Sequence, residues 1–216
     1  VVSREREGGK VVTGTEVFDG PECEALNLAR VNHALATVDM VSKTVLDAGC
    51  GVGHLGAVLR QHGAFPWCVD ARPANIERLR TLYPNLNHAV VDVESGPAAI
   101  GPFDVVFCCG LLYHLESPLR ALRNLASALK PDGTLYLETI ILRTSMGPTM
   151  TLVEEGDGAN DALRRLAHRP SALWVLTALR ALFREVAMCD PQPDHPDFTA
   201  VGGKNTRASF VARAPK

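Results

Sequence analysis

No apolar run in these 216 residues approaches the roughly 20 needed to cross a bilayer, and no secretory signal opens the chain, so a membrane-spanning or exported protein is not expected. Six cysteines occur, at 23, 50, 68, 108, 109 and 189, but no CxxC pair. Several sit in apolar, strand-like runs where cysteine behaves as a small hydrophobe, which fits a reduced, cytoplasmic setting. A long basic stretch is also missing. The 22 Lys and Arg against 24 Asp and Glu give a net charge of −2, and the densest cationic segment is the tail, 204–216. Strong nucleic-acid binders usually carry a basic stripe, so this balance counts against a polynucleotide partner. Repeats and low-complexity tracts are absent, and the histidines at 33, 62, 88, 168 and 195 show no metal-ligand spacing. What is present is a globular profile, 46% hydrophobic and 21% charged, of a length that suits one domain over 1–216. The opening Val1-Val2-Ser3-Arg4 has no methionine, which leaves residues upstream open.

Strand and helix signals alternate along most of the chain. Thr44–Ala48 reads as a buried strand followed by a glycine turn. A helix over 53–62 places Leu55, Val58 and Leu59 on one face and stops at Gly63. Phe65–Asp70 is a second strand, and Pro73 opens a helix carrying Ile76, Leu79 and Leu82 that Pro84 closes. Strands are expected over 88–93 and Phe103–Cys109. Ser117-Pro118 is an N-cap with proline at the first helical position, and Leu119, Leu122, Leu125 and Leu129 form that helix's buried stripe. Pro131-Asp132-Gly133 ends it, and 134–142 is a long apolar strand. Residues 143–169 lack strong periodicity and are expected to form a loop or lid with one short helix. A helix over 171–182 and strands over 185–189 and 208–212 follow, with no helix between the last two. At the front, Leu28, Val31, Leu35 and Val38 mark an amphipathic helix within an N-terminal helical cap, 1–40. Such alternation gives an α/β, Rossmann-like doubly wound sheet, mostly parallel, closed by an antiparallel terminal hairpin.

The segment richest in chemistry is Asp47-Ala48-Gly49-Cys50-Gly51-Val52-Gly53. A strand ends, three alternate glycines follow and a helix starts, so the backbone can turn sharply and come close to a ligand. The plainer alternative is a tight strand-to-helix turn. Three further features fall at the carboxyl ends of strands, where open α/β sheets bind ligands. Asp70 ends the second strand, where a carboxylate can accept both hydroxyls of a ribose. Asp92 ends the third, positioned for an adenine amino group. Cys109-Gly110 ends the fourth with another small turn.

That glycine segment resembles motif I of the class I S-adenosylmethionine-dependent methyltransferases. Asp70, Asp92 and Phe103-Asp104-Val105-Val106 match the motifs that follow, and Leu129-Lys130-Pro131-Asp132-Gly133-Thr134-Leu135 matches the family's "LkPGG" segment, with Asp132 where glycine is usual. The likeness is close over 25–142 and holds in outline beyond. It implies S-adenosyl-L-methionine as cofactor, with Asp47, Gly49, Gly51 and Gly53 forming the methionine-side loop. It further implies ribose contacts at Asp70-Ala71, adenine contacts at Asp92-Val93, and Cys109 beside the ligand. Gly51-Val52-Gly53-His54-Leu55-Gly56 also satisfies the GxGxxG of NAD-binding folds. Asp47, Asp92 and the terminal hairpin favour the methyltransferase pattern, and a dehydrogenase would need a substrate domain for which little chain remains.

On the acceptor side, Gly110-Leu111-Leu112-Tyr113-His114 should reach over the sulfonium, which makes Tyr113 and His114 the candidate catalytic residues. A histidine can take a proton from an attacking oxygen or nitrogen. Alternatively, His114 orders the loop or caps the Ser117 helix, since methyl transfer often needs only proximity and alignment. The sulfonium is already electrophilic, so no metal is expected. Glu138 either faces the acceptor pocket or pairs with a backbone group or arginine. His54 either packs on its helix or lines the methionine end. Met146, Met150, Trp174 and Phe183 suit lid packing or core. The tyrosine loop, Ser117-Pro118-Leu119 and Leu137-Glu138-Thr139 also resemble the bacterial tRNA wobble-uridine carboxymethyltransferases. That group uses a carboxylated S-adenosylmethionine held by tyrosine and basic residues; Tyr113 matches the tyrosine, and Arg207-Ala208 resembles the basic position. Methyl transfer to a small-molecule acceptor is the preferred reading. Carboxymethyl transfer to tRNA and a catalytically silent partner subunit are the alternatives.

Overall fold

The structure, a computed structural model, describes residues 21–96, 100–158, 161–199, 203 and 205–216. Two sheets run through it. The larger has seven strands: β1 (Thr44–Ala48), β2 (Phe65–Asp70), β3 (Asn87–Val90), β4 (Phe103–Cys109), β5 (Leu129–Leu142), β8 (Phe183–Met188) and β9 (Asn205–Pro215), in the spatial order β3-β2-β1-β4-β5-β9-β8. The first five in chain order are parallel, and β9 pairs antiparallel with both β5 and β8. The chain builds outward from β1 to β3, then crosses back to lay β4 on the other side of β1. This reversal opens a crevice at the carboxyl ends of β1 and β4.

Six helices accompany the sheets: α1 (Pro21–Thr37), α2 (His54–Gln61), α3 (Pro73–Leu82), α4 (Pro118–Ser127), α5 (Ala172–Leu182) and α6 (Pro196–Thr199). Side chains alternate across each strand, so neighbouring residues enter different cores. Leu46, Val106, Leu135 and Phe210 pack with Leu122 and Leu125 of α4 and Val175 and Leu179 of α5. Their neighbours Val45, Val105, Tyr136 and Val211 pack instead with Val31 and Ala34 of α1 and Leu59 of α2. Prolines at the first turn of α3 and α4 start those helices as expected. Ser117 occupies the N-cap position of α4 but makes no side-chain cap bond; its N–H donates to Glu94 Oε1 instead.

Four expectations are corrected. Residues 143–169 hold no helix among those described. Met150–Glu154 (β6) and Leu166–Pro170 (β7) pair antiparallel as a separate two-stranded sheet. The short helix α6 interrupts the terminal hairpin. Strand β5 begins at Leu129, not 134: its pairing with β4 jumps from Phe103↔Leu129 to Val105↔Thr134, so Pro131-Asp132-Gly133 lies within the strand as an irregularity. Strand β3 is shorter than 88–93, ending at Val90, although Val91 N–H still donates to Asp70 O at 3.0 Å. Of the expected N-terminal cap, 1–20 lies outside the described residues, as do 159 and 160 of the lid segment.

Candidate active site

The glycine loop leaves β1 at the crevice with Gly49, Gly51 and Gly53 all at positive φ, 74°, 55° and 88°. That region favours glycine. The amide groups of Gly49 and Cys50 both donate to Val69 O, at 2.8 and 3.0 Å, which fastens the loop to the end of β2. There the Asp70 carboxylate accepts from Gly51 N–H at 3.1 Å, Arg72 N–H at 2.8 Å and Asn75 Nδ2 at 3.1 Å. Burial raises the Asp70 pKa, only partly offset by these donors. Asp70, Ala71, Asp92 and Val93 line one narrow cleft of about 110 Å³ together with Gly49, Gly51 and His114. Carboxylates at two points and the apolar side chains of Val91, Leu111 and Leu163 between them suit a nucleoside.

Asp92 carries a partner that its position on β3 did not suggest. Arg164, on the turn between β6 and β7, donates to Asp92 at 2.6 Å and to Glu94 at 2.8 Å. Burial raises the Asp92 pKa, but the bonds from Arg164, Ser95 and Glu94 N–H outweigh it and hold the carboxyl below its ordinary value. Asp161, Leu163 and Arg164 line the same cleft, so the hairpin turn forms part of its wall.

Two residues of the expected cofactor set line neither this cleft nor the neighbouring cavity: Asp47 and Gly53. Gly53 caps α2, and a Cβ there would sit 2.7 Å from Leu79 of α3, so its lack of a side chain admits helix packing. Asp47 is 2% exposed and is bonded by Gly56 N–H. Burial above all pushes its carboxyl up to about 7, with repulsion from Asp70 adding to the rise. A raised folded-state value favours the protonated form, so stability is fullest at low pH and declines as pH climbs from the ordinary 3.8 through about 7. Asp47→Asn, free of that charge, should therefore gain on the wild type between about pH 5 and about pH 8, by up to about 4 kcal/mol. Urea unfolding at the two pH values decides it, and parallel pH dependences would show that Asp47 is not the buried acid responsible.

A second cavity, of about 630 Å³, adjoins the cleft along Gly49, Gly51, Gly110 and His114. Cys109, Tyr113 and His114 all line it. The last two lie on a single turn of 3-10 helix, Leu112–His114, their rings 4.0 Å apart. His114 Nδ1 lies 2.6 Å from Glu155 Oε2, and Arg169 donates to Glu155 Oε1 at 2.6 Å. Burial opposes the charge on Glu155, yet His114 and Arg169 prevail and draw its carboxyl down to about 2. Beneath this lies Glu138, fully buried, which accepts from Arg207 Nη1 at 3.0 Å and Gly110 N–H at 2.9 Å. Arg30 Nε lies 2.9 Å from its other oxygen, but without the alignment of a hydrogen bond. Of the two readings of Glu138, pairing with arginine and backbone is the observed one. His54 lines the cavity and bonds Tyr83 Oη through Nδ1 at 2.6 Å. Phe183 is core at 1% exposure, whereas Met146 is 71% exposed. Arg30, Glu155, Arg164 and Arg169 were missed in the sequence; the only signal was a density of arginines and acids in a segment without apolar period.

The architecture and the crevice define a Rossmann-like α/β domain with a nucleoside site at its topological switch point. A family model described as a methyltransferase domain matches residues 24–200. The ubiquinone biosynthesis O-methyltransferase of Xanthomonas campestris pv. campestris is 37% identical over 129 residues, which are 56% of this chain and 54% of that protein. The protein of the same name from Coxiella burnetii is 32% identical over 119 residues, 53% of this chain and 51% of its own. The chain thus spans about half the length of these relatives. Among solved structures, the N-terminal domain of EvdMO1, crystallised in the presence of S-adenosylhomocysteine and D-fucose, shares the fold with a TM-score of 0.69 at 23% identity, over 86% of this chain and 83% of that one. The chain belongs to the methyltransferase domain family, in its Rossmann-like, S-adenosylmethionine-dependent class. No helix among the described residues is long and apolar enough to cross a membrane.

Proposed function

We propose that this chain transfers a methyl group from S-adenosylmethionine to a hydroxyl of a small-molecule acceptor. The observation that carries this reading is the His114–Glu155 pair, 2.6 Å apart, on the wall shared by the nucleoside cleft and the larger cavity. A base at that boundary can remove a hydroxyl proton where acceptor and cofactor meet. Asp70 and Ala71 would hold the ribose, and Asp92 and Val93 the adenine. Gly49, Gly51 and Arg30 would take the methionine end, Arg30 as the cation for its carboxylate. When bound, the cofactor supplies an electrophilic methyl on sulfonium, which needs an aligned nucleophile. Tyr113 and the β6–β7 hairpin would enclose the acceptor. The names of the two relatives, O-methyltransferases, support a hydroxyl acceptor.

Purified protein incubated with deuteromethyl-labelled S-adenosylmethionine and a panel of catechols should yield S-adenosylhomocysteine and a labelled methyl ether by mass spectrometry. Cofactor binding without turnover on any acceptor would favour a silent subunit, and transfer of a carboxymethyl group would overturn methyl transfer. Cofactor contact at Asp70 has its own test. Asp70→Asn should weaken S-adenosylhomocysteine binding about ten- to a hundredfold, the loss of a charge-assisted pair of hydrogen bonds. Unchanged affinity by titration calorimetry in the folded variant removes Asp70 from the site.

A further inference from the structure

The 630 Å³ cavity has a cationic inner wall that methyl transfer to a neutral acceptor leaves unused. Arg169 and Arg207 reach it from β7 and β9, strands of different sheets. Both guanidiniums lie over the Tyr113 ring, their Cζ atoms 5.1 and 5.4 Å from its centroid. Arg207 Nη2 also comes to 3.5 Å from Tyr113 Oη, the limit of a hydrogen bond, so neither group is saturated by the other. The rest of each guanidinium is anchored. Arg169 donates to Tyr113 O at 2.9 Å and Glu155 at 2.6 Å, and Arg207 to Glu138 at 3.0 Å and Asp197 at 3.1 Å. The two side chains are only 15% and 13% exposed, so their forks are fixed in place before any ligand arrives.

Charge on this wall does not cancel from within. Arg30, Arg169 and Arg207 face two buried carboxylates, Glu138 and Glu155, and Glu138 serves both Arg30 and Arg207. Asp197 balances Arg207 from the outside, where it is 48% exposed and screened by solvent. The cavity's remaining acids, Glu154 and Asp161, belong to the hairpin. Glu154 is 74% exposed and paired with Arg165. A sulfonium held beside this wall adds further positive charge, which an anionic acceptor would neutralise in a poorly solvated place.

Resting on the methyl-transfer reading for the identity of the ligand, we propose that Arg169, Arg207 and the Tyr113 hydroxyl form a carboxylate-recognition subsite for an anionic acceptor. The planar fork of arginine matches a carboxylate through paired N–H donors, and the phenol adds a third donor. The acceptor is then a small hydroxy acid, its carboxylate on this wall and its hydroxyl toward His114. Both groups line the one cavity, with Tyr113 between them.

Benzoate and benzamide, of one shape but different charge, provide the test by calorimetry on free protein and on protein saturated with S-adenosylhomocysteine. Benzoate should bind about tenfold more tightly than benzamide. Arg169→Gln should abolish that preference, and Arg207→Lys, which keeps the charge and loses the fork, should reduce it. Tyr113→Phe removes only a hydroxyl and should lower the preference about threefold, the scale of one hydrogen bond, so it serves even if an arginine variant fails to fold. Equal binding of the two probes, no binding of benzoate at millimolar concentration, or a preference that survives in every folded variant overturns the proposal. Carboxylated S-adenosylmethionine provides the last comparison. If it outbinds the ordinary cofactor and excludes benzoate, the anion belongs to the cofactor and the acceptor assignment falls. Failure of S-adenosylhomocysteine to bind would sink the methyl-transfer reading alone, because the probes are also titrated against free protein.

Discussion

Glu138→Ala is expected to lower folding stability by about 3–5 kcal/mol, the range for removing one member of a buried ionic group. The carboxylate has no solvent exposure, and the side chains it leaves behind, Arg30 and Arg207, are 9% and 13% exposed. Two guanidiniums would then remain in a medium that neither hydrates nor pairs them. The N–H of Gly110 would keep only its weaker contact with Glu138 O, at 3.2 Å. Glu138→Gln retains volume and acceptor oxygen and should cost less, because only the charge is lost. Non-additivity provides the sharper check. Adding Arg207→Met to Glu138→Ala removes one stranded cation, so the double variant should be more stable than the sum of the single losses implies. Urea denaturation of the four proteins supplies these differences. A cost below about 1 kcal/mol for Glu138→Ala would mean that water replaces the carboxylate freely and that the cluster is not a dry one.

The parallel half of the fold was legible because each of its elements carries its own local signal. Strand β4 is a seven-residue run, Phe103–Cys109, bounded as expected at both ends, and α3 and α4 announce themselves by proline at the first turn. The β6–β7 hairpin had no such signal. Its strands are mostly exposed or half-buried, with Leu152 60% exposed, so alternation of apolar and polar residues never developed. Pairing with each other, rather than burial of one face, accounts for their backbone bonds. The irregularity at Pro131-Asp132-Gly133 shows a related limit: turn residues mark a local bend, which here interrupts the pairing of a strand without ending it.

At the site, the residues on strand ends were foreseeable since topology alone carries Gly49, Asp70, Asp92, Tyr113 and His114 to one sheet edge. Their partners were not. Glu155 reaches His114 from 41 residues away, Arg164 reaches Asp92 from 72, and Arg207 approaches Tyr113 from 94. A charge brought in by tertiary packing has no fixed spacing in the chain. Asp47 illustrates the reverse: it stands first in the recognised motif, yet its side chain turns under the loop toward Gly56 and Cys68 instead of into the cleft.

His114→Ala should lower kcat by about 10²–10⁴-fold, the usual contribution of a positioned general base, while S-adenosylhomocysteine affinity changes little. The argument rests on which nitrogen is free. Glu155 is drawn to about 2 and so stays ionised at neutral pH, where it can only accept; the proton between it and His114 then belongs on Nδ1. Nε2 makes no hydrogen bond to the described residues and is left as the acceptor for a hydroxyl proton. Glu155→Gln would keep the ring in place but release the tautomer, since an amide can donate to Nδ1 as well as accept. It should therefore reduce kcat by less than His114→Ala, with KM for the cofactor nearly constant. In the wild type, kcat should fall on the acid side as the imidazole takes up a proton, and that limb should vanish in His114→Ala. Added imidazole should restore part of the lost rate, because the deletion leaves room for it beside Tyr113. A histidine that merely ties the hairpin to the loop predicts otherwise. His114→Ala and Glu155→Gln would then lose thermal stability and all activities in proportion, the acid limb would persist, and imidazole would rescue nothing.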